Sequence, residues 1–345
     1  MHHRTVQRAC EPAARALWWW RHRLAWALVL AVVAVLVQSP GGSGAAVRSS
    51  ARRLGGGSPV DTKLFQPGAC MEYAPTAGDR HLTVFLDAGH GGLDPGGVGE
   101  TTSGQTIYEA DETLPVELDT MALLRAKGFT VVVSRTRDET VSRFQPGDVS
   151  GGLFTADGEH DDVAARDVCA NMARANVLVG IYFDAGSSPL NAGSVTGYDT
   201  DRPFSAQNLK LATLVQADVM AAMNAQGWGI PDLGVVDDSE LGGPALTTAA
   251  ADYGHLLLLG PADPGYADTP SAMPGALIEP LFITDPYEGS IADSASGQQV
   301  MAGGLAQAIE QYFAPPPPSG AHAEADRPTS RHGAAGGSAG TKKVG

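Results

Sequence analysis

The stretch Thr83-Val84-Phe85-Leu86-Asp87-Ala88-Gly89-His90-Gly91-Gly92 constrains this chain more than any other. A short apolar, strand-forming run that ends in glycines reads as a buried strand of an α/β sheet. Ligands of such sheets collect beyond the carboxyl ends of the strands. A histidine held there between glycines, which let the backbone turn tightly, can aim an imidazole nitrogen into the crevice.

Downstream, strand-like and helix-like segments alternate. Asp111 to Lys127 carries Leu114, Leu118, Met121, Leu123 and Leu124 at helical spacing and stops at Gly128. Phe129 to Val133 is rich in β-branched residues, Asp161 to Ala175 reads as a helix, and Val177 to Phe183 as a strand. Ser194 to Tyr198 is a shorter strand, and Ser205 to Gln226 a long amphipathic helix. His255 to Leu259 and Ala276 to Phe282 are further apolar runs, and Gln298 to Phe313 closes as a helix. The alternation predicts an α/β fold: a single three-layer domain, with a mostly parallel twisted sheet and helices on both faces. Phe144 to His160 and Gly229 to Thr248, rich in glycine and acid, read as loops long enough to be functional.

The ends carry different signals. A basic segment broken by Trp18-Trp19-Trp20 leads into an apolar run from Leu24 to Val37, followed by small residues near Gly44-Ala45-Ala46. This fits a secretory signal. The other reading is an uncleaved N-terminal membrane anchor, for which the run falls short of the ~20 residues that span comfortably. Residues 1–46 are thus a leader or anchor and 47–59 a flexible linker. Residues 60–313 form the domain, and 314–345 a Pro/Gly/Ala-rich tail without the apolar content for a core. A formal charge of −15 with 23 basic residues offers no basic face for nucleic acid. Cys70 and Cys169, the two cysteines outside the leader, are a candidate disulfide in an oxidising compartment, with two buried thiols as the alternative.

The order of segments then becomes informative. Asp87-Ala88-Gly89-His90-Gly91-Gly92 is followed by Glu109, Ser134-Arg135-Thr136-Arg137-Asp138, and Arg166-Asp167-Val168-Cys169-Ala170-Asn171. Next come Val179-Gly180-Ile181-Tyr182-Phe183-Asp184 and Pro274-Gly275-Ala276-Leu277-Ile278-Glu279-Pro280-Leu281-Phe282. This series resembles the zinc-dependent N-acetylmuramoyl-L-alanine amidases of bacterial cell-wall hydrolases and autolysins, over roughly residues 82 to 313. The resemblance implies a secreted or cell-envelope hydrolase acting on peptidoglycan. It implies Zn2+ held by His90 and Glu109, with Glu279 as general base. The residue types suit that chemistry: imidazole and carboxylate bind zinc, and a nearby carboxylate moves the proton. Glu112, one helical turn on, is the alternative to Glu109. Glu279 stands in an otherwise apolar run, where a charge is rarely buried without a partner. Arg135 and Arg166 read as structural ion-pairing residues.

One position departs from the family pattern. The third ligand, a histidine in relatives, is Tyr182 here, and a phenol with a pKa near ~10 is a poor zinc ligand. Asp184 is the leading substitute, because residues two apart on a strand face the same way. His160 and His255 are the other candidates. Two readings follow: a peptidoglycan amidase, or an inactive relative that binds wall fragments. The sequence leaves oligomeric state open.

Overall fold

Side chains of the central strands alternate between two buried cores. The computed structural model describes residues 56–242 and 247–315. The leader, most of the linker and nearly all of the tail lie outside the described residues. In chain order the strands are β1 (Ser58–Pro59), β2 (Ala69–Tyr73), β3 (Thr83–Ala88), β4 (Val98–Glu100), β5 (Thr106–Tyr108) and β6 (Thr130–Arg135). They continue with β7 (Val149–Ser150), β8 (Leu153–Phe154), β9 (Val177–Ile181), β10 (Ser194–Tyr198), β11 (Asp232–Asp237) and β12 (Gly275–Glu279). The helices are α1 (Glu109–Ala126), α2 (Ala156–Met172), α3 (Ser205–Asn224), α4 (Thr248–Tyr253), α5 (Pro286–Ala292) and α6 (Ala295–Tyr312).

Eight strands form one sheet in the order β1-β2-β6-β3-β9-β12-β10-β11, while β4-β5 and β7-β8 are separate hairpins. Val84, Leu86, Val131, Val133, Val177, Val179, Ala276 and Ile278 point to one face and pack against α1, α3 and α6. Phe85, Val132, Leu178 and Leu277 point to the other, toward Val163, Cys169 and Ala170 of α2. Both faces are therefore covered, which is why the central strands are apolar throughout instead of alternating with polar residues. The three-layer α/β arrangement expected from the alternation is present.

The sheet is mixed. Its centre, β6-β3-β9-β12, is parallel, as is the edge pair β10/β11. The β1/β2, β2/β6 and β10/β12 pairings are antiparallel. The apolar run His255 to Leu259 follows the left-handed cap Gly254 and folds as a turn that buries Leu258 and Leu259. Two local expectations are corrected. Gly229 to Thr248 contains β11, a half-exposed edge strand whose glycine and acids hid it. Phe144 to His160 holds the β7-β8 hairpin and the first turn of α2, where Thr155 Oγ1 accepts the Gly158 N–H at 3.1 Å as an N-cap.

Cys70 and Cys169 form a disulfide, Cα–Cα 5.8 Å, which ties β2 to α2 across the second core. Among the described residues no helix is long and apolar enough to cross a membrane.

Candidate active site

Three neighbouring parallel strands end together. Ala88, Ile181 and Ile278 share one level of the sheet. The residues just beyond, His90, Tyr182 to Asp184 and Glu279, therefore emerge along one edge. A cavity of about 940 Å³ opens there, with His90, Glu109, Tyr182, Asp184 and Glu279 in its wall. The fold thus brings all four proposed site residues to one cavity.

His90 adopts φ +60°, a conformation uncommon for a non-glycine residue and frequent at functional sites. Several contacts hold it there. Arg166 Nη2 donates to the His90 carbonyl at 2.9 Å. Gly96 passes so close that a Cβ would meet the imidazole at 2.7 Å. Asp94 Oδ2 lies 2.6 Å from Nδ1, and Glu109 Oε1 lies 3.1 Å from Nε2. Asp94 was not identified from the sequence. Its signal is its place in the same tight turn, where Gly91 and Asp94 exchange backbone hydrogen bonds.

Glu109 opens α1, and two backbone donors fix its carboxylate: Gly97 N–H on Oε2 and Phe183 N–H on Oε1, each at 2.9 Å. Glu112 points elsewhere, its Oε2 accepting from Gln298 Nε2 of α6 at 3.0 Å. Of the two carboxylates, Glu109 faces the cavity.

The local electrostatics is crowded with negative charge. Burial disfavours the His90 imidazolium, yet the charge of Glu109 and the hydrogen bond to Asp94 win and raise its pKa to about 10. Burial, then the charges of Asp184 and Glu109, raises Glu279 to about 8. Asp184 is also pushed up, by burial and then by Glu109. One imidazole faces four carboxylates, a field that a cation would relieve.

Tyr182 lines the same wall and packs edge-on against the His90 imidazole, ring centroids 5.4 Å apart, but its hydroxyl turns away. It lies on the α2 side of the sheet, and its hydroxyl donates to Asp87 Oδ2 at 3.0 Å. Gly89 makes room for the ring, since a Cβ there would meet it at 2.5 Å. Burial and the Asp87 charge hold the phenol's pKa well above its ordinary value. Asp87 is also gripped by Arg166 Nη1 at 2.6 Å, and Asp162 Oδ2 binds Arg166 Nη2 at 3.0 Å. Arg166 is thus an ion-pairing residue, as read from the sequence. Arg135 is not: it donates to the carbonyls of Ala88, Gly89 and Ala110. Strand β9 ends at Ile181, and Asp184, three residues on, bridges to Phe282 by its backbone and lines the cavity with Tyr182. His160 and His255 also reach the cavity wall. His160 Nε2 is engaged with the Tyr266 carbonyl at 2.8 Å.

Residues 84–311 match the N-acetylmuramoyl-L-alanine amidase family. The chain belongs to this family. It is similar to the N-acetylmuramoyl-L-alanine amidase AmiC of Neisseria meningitidis, 25% identical over 245 residues, which are 68% of this chain and 53% of that protein. The chain thus spans about half the length of that relative. It is also similar to the germination-specific N-acetylmuramoyl-L-alanine amidase of Bacillus subtilis, 24% identical over 230 residues, 67% of this chain and 79% of that protein. The CwlD amidase of Clostridioides difficile, solved in complex with the GerS lipoprotein, shares the fold. That match has a TM-score of 0.50 and 20% identity, and covers 67% of this chain and 98% of that one.

Proposed function

We propose that this chain is an extracytoplasmic, zinc-dependent N-acetylmuramoyl-L-alanine amidase. It would hydrolyse the amide between the lactyl group of muramic acid and L-alanine of the peptidoglycan stem. One observation carries the reading: His90 and Glu109 in contact at 3.1 Å, on the wall of the cavity that also holds Glu279. The donor types of His90 and Glu109 fit zinc. The Asp94–His90 contact leaves Nε2 toward Glu109, the carboxylate–histidine arrangement that orients metal-binding imidazoles. His90 and Glu109 would hold the ion; Asp184 lines the same cavity, but its carboxylate does not close to within 4.8 Å of both, so its ligation as the third residue would need a shift of the strand end. When bound, it polarises the amide carbonyl and lowers the pKa of water.

The chain's own residues supply the rest. Asp94 and Arg166 fix the rotation of the imidazole and the backbone behind it. Glu279 takes a proton from the attacking water at its carboxylate and passes it to the departing alanine nitrogen. The leader and the Cys70–Cys169 disulfide support an exported protein.

Tyr182 favours a second reading, a groove that binds wall fragments without cutting them, because its phenol is committed to Asp87. Incubating the full chain with purified sacculi and counting new L-alanine amino termini separates the two. The amidase produces them, loses activity with chelator and regains it with zinc, and Glu279→Gln stays silent while still binding zinc. Sacculi bound but never cut, at one equivalent of zinc, would leave only the binding reading.

A further inference from the structure

A second cluster lies behind the cavity wall at the carboxyl ends of β10 and β11, with His255 as its member on the wall. These strands pair in parallel with Tyr198 opposite Asp237. The next residues, Asp199 and Asp238, therefore leave the sheet side by side, and both are fully buried. His255, just after the Gly254 cap of α4, sets its Nδ1 3.1 Å from Asp199 Oδ2 and 3.2 Å from Asp238 Oδ1. The outer oxygen of each carboxylate takes a backbone donor at 2.8 Å: Asp201 N–H on Asp199 Oδ1, and Leu256 N–H on Asp238 Oδ2. The inner oxygens converge on the imidazole.

That convergence is not satisfied by protein atoms. One Nδ1–H can serve only one acceptor well. It bonds Asp238 Oδ1, while Asp199 Oδ2 remains buried with no hydrogen-bond partner. Asp201 approaches Nε2 at 3.8 Å and adds a third carboxylate. The charge of Arg202 acts on Asp199, but its N–H groups donate to the carbonyls of Leu259, Gly260 and Ser271 and give Asp199 Oδ2 no hydrogen bond. A buried carboxylate oxygen without a partner is costly.

The ligand atoms of Asp199, Asp238 and His255 lie within 4.8 Å of one another, and among the described residues no other acidic, histidine or cysteine trio does so. Bonds of about 2.0–2.2 Å in tetrahedral array place donors roughly 3.3–3.6 Å apart, slightly wider than the 3.1 and 3.2 Å seen at Nδ1. We infer that Asp199, Asp238 and His255 form a second divalent-cation site, distinct from the one at His90. One imidazole nitrogen with two carboxylate oxygens suits zinc or manganese; calcium prefers shells made wholly of oxygen. The ion pins the β10/β11 edge to the turn after α4, and so fixes the cavity wall around His255 and Leu256. This inference does not rest on the amidase reading.

The test uses the full-length His90→Ala chain, stripped with chelator and titrated calorimetrically with Zn2+ and with Mn2+. With His90 gone, the titration reports the second cluster alone. One equivalent of zinc or manganese should bind and raise the melting temperature. Adding Asp238→Asn, or separately His255→Gln, should weaken binding at least about tenfold and abolish the thermal shift. Calcium should bind far more weakly. A cooperatively melting His90→Ala protein that binds neither metal and shows no shift would overturn the inference, leaving an Asp–His–Asp ion network only. That result would not touch zinc at His90, which the difference in stoichiometry between wild type and His90→Ala measures.

Discussion

Replacing Tyr182 with phenylalanine separates a structural phenol from a metal-binding one. Its hydroxyl donates to Asp87 Oδ2 at 3.0 Å, while Arg166 occupies the other oxygen at 2.6 Å, and Asp87 is fully buried. Phenylalanine keeps the ring in the space that Gly89 leaves open and removes only the donor. A hydrogen bond to a charged, buried acceptor is worth about 1.5–3 kcal/mol. For a domain of this size each kcal/mol moves the melting temperature by about 2–4 °C, so the fall should be roughly 3–12 °C. Zinc affinity should stay within about threefold of wild type, under ~0.7 kcal/mol, because the hydroxyl does not face His90 or Glu109. Thermal melts of the stripped protein and zinc titration of the folded protein measure both quantities. An unchanged melting temperature with zinc weakened tenfold or more would refute the reasoning and make the phenol a ligand.

Three further outcomes are expected. Glu109→Gln should lose the one zinc equivalent held at His90 while Glu112→Gln keeps it, since Glu112 is turned to Gln298; equal losses in metal analysis would contradict the assignment. Burial raises Glu279 from 4.5 to about 8, so the folded state keeps a proton that the unfolded chain has released. That contribution is full below about pH 4.5 and is lost as pH rises through about 8. In the metal-free protein, Glu279→Gln should therefore gain melting temperature over wild type as pH climbs from about 5 to 9, and a gap independent of pH would count against it. The Cys70→Ser/Cys169→Ser pair opens a link across 99 residues and should lower stability by ~2–4 kcal/mol in denaturant titration. An unmoved midpoint would show that the bond does not constrain the chain.

The fold class, the histidine turn and the helix that Glu109 opens were legible because their signals are local. β3 reads as a strand from an unbroken apolar run, and Gly89, Gly91 and Gly92 mark its turn. Glu279 stood out as one charge in an apolar strand, and the cavity beside it accounts for that exception. Strand β11 and the turn at His255 escaped because an edge strand need bury little, and an apolar run can fill a turn as well as a strand.

The sequence by itself determined which residue types stand at the strand ends, because periodicity and glycine chemistry act within a few positions. Tertiary structure decided where those side chains aim. That Tyr182 reaches Asp87, that Asp94 orients His90, and that Asp199 meets Asp238 depend on register between strands far apart in the chain. Such register is set by the packing of both faces at once, which no local window of sequence contains.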